Sequence, residues 1–213
     1  MKTISMTCLL TLTLAACGSQ PPQPDWKANA GSALNAYSDA YLKGDTAIAD
    51  TEFARARNEV ASTGRADLVA HAELVGCATR VASLEFDDCP RFAALAQDAT
   101  PAQRAYASYI GGQWQGLDVA LLPEQHRAIA QGKGTLAAIA DPLARLVAAG
   151  VLMRTQRITP PDILVATDTA SSQGWRRPLL VWLGVSLKRA QAAGDADSAA
   201  RLQRRIDLAT RPL

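Results

Sequence analysis

Few side chains in this sequence could do chemistry, and their spacing limits what each could do. Histidine occurs only twice in 213 residues, at His71 and His126, which is too little for a histidine-based metal site or proton relay. Glu124 and His126 stand close together just after Pro123, where a carboxylate and an imidazole could share a proton. A first-turn glutamate more commonly answers a helix dipole, so His126 is expected on a solvated surface. His71 lies inside a helical stretch and is expected to be a partly buried structural histidine. Glu85, Asp87 and Asp88 could contact a cation, but they lack the spaced oxygen ligands of a calcium loop and read as a solvated turn. Asp195 and Asp197 read as charges at a helix start. Gly132-Lys133-Gly134-Thr135 has the composition of a phosphate loop without its earlier glycine or its preceding strand. No His-Glu-x-x-His, Gly-x-Ser-x-Gly or Cys-x-x-Cys occurs. The sequence therefore nominates no catalytic residue, metal site or cofactor, and a role other than catalysis is expected.

The elements that carry these residues follow from composition and punctuation. Alanine fills 42 of the 213 positions, while aromatics make up 5%; this balance favours close-packed helices over sheets. Thr100-Pro101, Asp141-Pro142 and Thr159-Pro160 each pair a capping residue with proline at the first helical position. Pro90, Pro123 and Pro178 also precede apolar-periodic runs. Helices are predicted near residues 26–43, 46–62, 65–84, 90–97, 101–111, 123–131, 142–153, 160–171, 178–193 and 195–209. Trp26, Ala30, Ala33, Leu34, Tyr37 and Tyr41 share one helical face. Pro178 to Leu187 is apolar on nearly all sides and too short to span a bilayer, so it is expected to be the central buried helix. The fold class is all-α.

The first residues carry an address. Met1-Lys2 is followed by an apolar stretch from Ile4 to Leu14, too short for a membrane span. It ends in Leu14-Ala15-Ala16-Cys17, which resembles the lipobox of bacterial lipoproteins. That resemblance implies a signal peptide over 1–16 and lipidation of Cys17, which becomes the first residue of the mature chain. Three acyl chains, at about 0.8 kcal/mol per buried methylene, would make a permanent anchor. Gly18, rather than aspartate, follows the cysteine, and in Gram-negative lipoproteins this implies export to the outer membrane, facing the periplasm. Residues 17–25 then read as the lipidated cysteine and a proline-rich tether, and 26–213 as one helical domain. With Cys8 in the leader and Cys17 lipidated, Cys77 and Cys89 remain. An oxidising periplasm makes them a natural disulfide, with two buried thiols as the alternative.

Ala40-Tyr41-Leu42-Lys43-Gly44-Asp45, continued by Ala49, Phe53 and Ala56, resembles the middle of a tetratricopeptide repeat. Ala193-Gly194-Asp195, with Ala199 and Ile206, is a weaker second copy, having Gln203 where an aromatic is usual. The resemblance implies an irregular array of antiparallel helical hairpins.

Charge is unevenly distributed. The net charge is +2, with no stripe of the kind that binds nucleic acid. Residues 18–100 nevertheless carry 7 basic and 12 acidic side chains, and residues 176–213 carry 8 basic and 3 acidic. The basic end could face anionic lipid, cell-wall carboxylates or an acidic protein, or pair with the acidic half of the fold. Trp175, Arg176, Arg177, Arg201, Arg204 and Arg205 are the candidate interaction surface, because Trp and Arg are enriched at binding hot spots; for Trp175-Arg176-Arg177 a packing cluster at the entry to a helix is the favoured alternative. These features point to a lipid-anchored scaffold or assembly factor, a pilotin-like helper of an envelope complex. A cell-wall-acting enzyme using a carboxylate such as Glu124, or a small-ligand-binding lipoprotein, are the alternatives.

Overall fold

The computed structural model describes residues 24–210. The leader 1–16, Cys17 and the tether up to Gln23 lie outside the described residues. Ten α-helices follow one another, with no strand among the described residues. They are α1 (Asp25–Lys43), α2 (Thr46–Ala61), α3 (Ala66–Ala82), α4 (Pro90–Ala93), α5 (Pro101–Ile110), α6 (Glu124–Ala130), α7 (Pro142–Arg154), α8 (Pro160–Ser172), α9 (Arg176–Ala192) and α10 (Ala196–Thr210). Short 3-10 turns occupy Val119–Leu121 and Leu136–Ala138. No described helix is long and apolar enough to cross a membrane.

The capping chemistry sets most of the starts. Thr100 and Gln103 form a reciprocal capping box at α5, and Thr159 and Asp162 form another at α8. The Asp141 carboxylate accepts the amide of Ala144 at α7. Asp45 occupies the start of α2, but its side chain caps no amide. The α1–α2 hairpin instead closes on Gly44, whose φ of 95° is left-handed, with the Asp45 amide donating to the Ala40 carbonyl. The predicted helix 90–97 is shorter than expected. After Ala93 the amides of Leu95, Ala96 and Asp98 reach back only three residues, so the segment continues as turns.

The core is built on α3 and α7. Ten residues of α3 are buried, and α7 buries Ala144 and the unbroken run Leu146–Val151. Small residues allow the close approach. A Cβ on Gly150 would strike the Val81 carbonyl oxygen, and one on Gly76 would lie 2.9 Å from the Phe53 ring. Polar pairs are satisfied inside this packing: Ser38 and Thr79 hydroxyls are 3.2 Å apart, and buried Glu73 accepts from Arg57 at 2.9 Å.

The expectation for Pro178–Leu187 needs correction. Of α9 only Pro178, Trp182 and Leu183 are buried. The helix lies beside the core rather than in its centre, and α1, α8 and α10 each cover one strip of it. Apolar residues on nearly all sides thus serve three separate contacts, none complete. Trp182 is the exception; it is fully buried and its indole N–H donates to the Ala82 carbonyl of α3 at 3.3 Å. α10 packs on α9 through half-buried Ala199, Leu202, Ile206 and Ala209, and buries no side chain fully.

Cys77 and Cys89 sit at disulfide distance, with Cα atoms 5.6 Å apart. The cross-link spans the turn after α3, where Leu84, Asp88 and Cys89 all have positive φ.

Candidate functional site

The six residues nominated as an interaction surface separate into two groups. Trp175 is half-buried and packs on the core at the entry to α9. The Arg176 guanidinium covers Gly44, where a Cβ would come within 3.2 Å of it. Arg177 is more fully used. Its Nε donates to the Tyr41 carbonyl at 2.8 Å, one Nη donates to Thr46 Oγ1 at 2.7 Å, and the other lies 3.6 Å from Glu85. Its guanidinium also stands 4.2 Å from the centre of the Tyr41 ring. Arg176 and Arg177 fasten the start of α9 to the α1–α2 turn, and Trp175 packs on the core, so these three hold the fold together.

The acidic turn is likewise occupied from within. It is exposed, as expected, but each carboxylate has an arginine: Glu85 has Arg177, Asp87 has Arg80 at 2.9 Å, and Asp88 has Arg154. Asp87 also accepts the Cys89 amide at 3.1 Å. The Gly132–Thr135 segment offers no phosphate cradle, because the Lys133 and Gly134 amides both donate to the Ala128 carbonyl at the end of α6.

The second group faces outward. Lys188, Arg189, Arg201, Arg204 and Arg205 are all exposed, and none is among the ion pairs formed by the described residues. Among the described residues, only Arg177 of the basic end pairs with a carboxylate of the acidic half. Three of these cations rim an open groove of about 550 Å³. It is lined by Ala190 of α9 and Ala193 just past its end, by Pro160, Ile163 and Leu164 from α8 and by Leu202 from α10. Arg189, Arg201 and Arg205 stand around it, while Arg204 is exposed outside the lining. Leu164 is 62% exposed. The Asp195 carboxylate at one end is held below the usual pKa range by the Ser198 side chain first, and then by the Ser198 amide that donates to it at 2.9 Å.

Sequence reasoning placed Arg189 with the α10 arginines in the basic end but missed Leu164. The spacing Arg201–Arg205 on one face of α10 was legible; that α8 would bring an unpaired leucine opposite them depends on helix order in space.

The two histidines exchange roles relative to expectation. His71 is exposed on α3. His126 is 1% exposed, packed against the rings of Tyr106 and Tyr109 at 5.7 and 5.0 Å between centroids, and its Nδ1 has no hydrogen-bond partner. The periodicity around His126 is too short to reveal this, since α6 has only seven residues. Glu124 is exposed, and no hydrogen bond or ion pair joins it to His126. Burial pushes the His126 pKa down to about 4, opposed by the nearby Asp141 charge. A folded-state pKa below the unfolded value of about 6.5 means that stability is lost as pH falls from about 6.5 through about 4. The expected loss attributable to this residue is about 3 kcal/mol. Urea unfolding at pH 7 and pH 4 checks it, because His126→Leu should remove that part of the difference; an equal loss in both proteins would place the acid sensitivity elsewhere.

Compared with known proteins, the chain matches no family model, no curated protein and no solved structure.

Proposed function

We propose that this protein is a lipid-anchored helical scaffold or assembly factor of a cell-envelope complex, working through protein–protein contact. The observation that carries this reading is the groove between α8 and α10, where three guanidiniums without a carboxylate partner among the described residues surround an apolar lining. Other arginines of this fold have an internal partner: a carboxylate for Arg57, Arg80, Arg154 and Arg177, and a backbone carbonyl for Arg104, Arg127 and Arg145. A cluster left unpaired beside exposed leucine is what a recognition surface requires. The lipobox resemblance at Cys17 supplies the anchor and the periplasmic address. The tetratricopeptide-like architecture is supported by the α1–α2 hairpin, in which Ala49, Phe53 and Ala56 are all buried behind the Gly44-Asp45 turn, and by the Gly194-Asp195 turn before α10. Helical hairpins of this kind present side chains on a rigid frame, which suits partner selection by shape and charge.

A photo-crosslinking residue at Leu164 in intact cells tests the proposal. The expected result is an adduct with an envelope protein that disappears when Arg189 and Arg205 are changed to Glu, and that is absent from the same probe at Ile48. Cys17→Ser should release the chain from the membrane fraction. A groove that yields no envelope adduct, or a Cys17→Ser chain that stays membrane-bound, overturns the corresponding half of the reading.

A further inference from the structure

We infer that the groove receives an acidic amphipathic helix from a partner protein. The inference rests on the scaffold reading and narrows it to one kind of ligand. α8 and α10 flank α9 and leave Ala190, and Ala193 just past the end of α9, uncovered between them. A channel with a helix on either side and alanines in its lining accepts the ridge of another helix, because small residues let the backbones approach. Ile163, Leu164 and Leu202 line the channel with apolar surface. Leu208, 65% exposed, lies seven residues beyond Arg201 and so continues the same face of α10. The ligand should therefore bring an apolar stripe at spacings of three and four residues. α10 is 15 residues long, about 22 Å at the usual helical rise, which suits about four turns of partner helix.

The charge requirement is set by Arg189, Arg201 and Arg205. Arg201 donates only to the Ser198 hydroxyl at 2.8 Å, and the one carboxylate in the lining, Asp195, is turned to its own helix start. Burying such a rim against a neutral helix would leave cations desolvated without compensation, whereas flanking Asp or Glu would complete them. The chain's own residues 1–23 contain no acidic side chain, so they do not fit the rim. A lipid surface is the other anionic candidate, but it is flat, and the apolar residues here line a depression instead of crowning a ridge.

Selection from a displayed library tests this with the full-length chain as bait. Library members carry leucine at positions i, i+3, i+4 and i+7 of a helical segment, with all other positions randomised. Enriched members are expected to hold more Asp and Glu than Lys and Arg, to bind at least tenfold more weakly to the Arg189→Glu/Arg205→Glu variant, and to lose binding to Leu164→Asp. Unchanged helical content and melting temperature establish that the variants are folded. Enrichment of neutral or basic members, no enrichment, or binding indifferent to the rim would overturn the inference. So would phosphatidylglycerol vesicles that occupy the groove and displace the selected helices, or self-association that the same variants abolish. The outcomes separate from the scaffold reading: acidic helices selected without any cellular adduct sink that reading and leave the groove's preference standing, while a cellular adduct lost in the Arg189→Glu/Arg205→Glu variant, with no acidic helix selected, does the reverse.

Discussion

Gly150→Ala lowers the stability of this protein by about 3 kcal/mol, although alanine is the better helix former by about 1 kcal/mol. The residue lies within the buried run of α7, facing α3. An added methyl would strike the Val81 carbonyl oxygen, with Val81 Cγ1 at 2.9 Å and the carbonyl carbon at 3.0 Å. The obstruction is largely backbone, so no side-chain rotation relieves it, and the two helices must separate. That separation loosens contacts along the whole α3–α7 seam. Gly31→Ala is the matched control: it sits in α1, is exposed, and nothing lies within 4 Å of a Cβ there. It should stabilise the protein by about 0.5–1 kcal/mol. Urea unfolding of both variants checks the pair, and losses of equal size and sign would show that the α3–α7 spacing is not limited by this glycine.

Removing the Cys77–Cys89 cross-link has an effect of similar size. The two residues are 12 apart in sequence, and closing a loop of that length restricts the unfolded chain by about 3 kcal/mol in the chain-entropy picture. For a domain of this size the loss corresponds to a fall in Tm of about 6–12 °C. The turn it encloses carries Asp87 and Asp88, whose arginine partners Arg80 and Arg154 come from α3 and α7. Freeing the turn therefore also weakens ion pairs that tie it to both central helices. A Cys77→Ala/Cys89→Ala double variant should melt lower under oxidising conditions and match reduced wild type. Alkylation checks the bond directly: the oxidised protein should gain mass only after reduction, and immediate modification of both thiols would rule it out.

Much of the local structure was legible because proline and its caps act within a few residues. Thr100, Asp141 and Thr159 each accept the amide three residues ahead, which is a property of the adjacent sequence alone. Burial was less legible wherever it depended on which helices became neighbours. The apolar run of α9 is shared among three contacts, so hydrophobicity all around did not mean central. A packing role for Arg177 at the entry to α9 was legible, but its partner was not, because the α1–α2 turn beneath it lies some 130 residues earlier in the chain. His126 carries a polar label but sits where Tyr106 and Tyr109 exclude water. The groove combines both cases, with arginines spaced visibly along α10 and a leucine supplied from α8.

One wall of that groove is less secure than the other. α10 contributes no fully buried side chain and rests on α9, so its amides have little to protect them beyond the helix itself. The α8 wall is different, since Ile163, Ala166 and Ala170 are sunk in the core. Local opening is therefore expected to begin at α10 and to erase the groove without touching the central packing. A partner seated between α8 and α10 would have to hold α10 closed, making its binding and the folding of the last helix a single equilibrium. Mutations that raise the helicity of α10 would then tighten binding without adding any contact, and those that fray it would weaken binding in a protein that still melts as before.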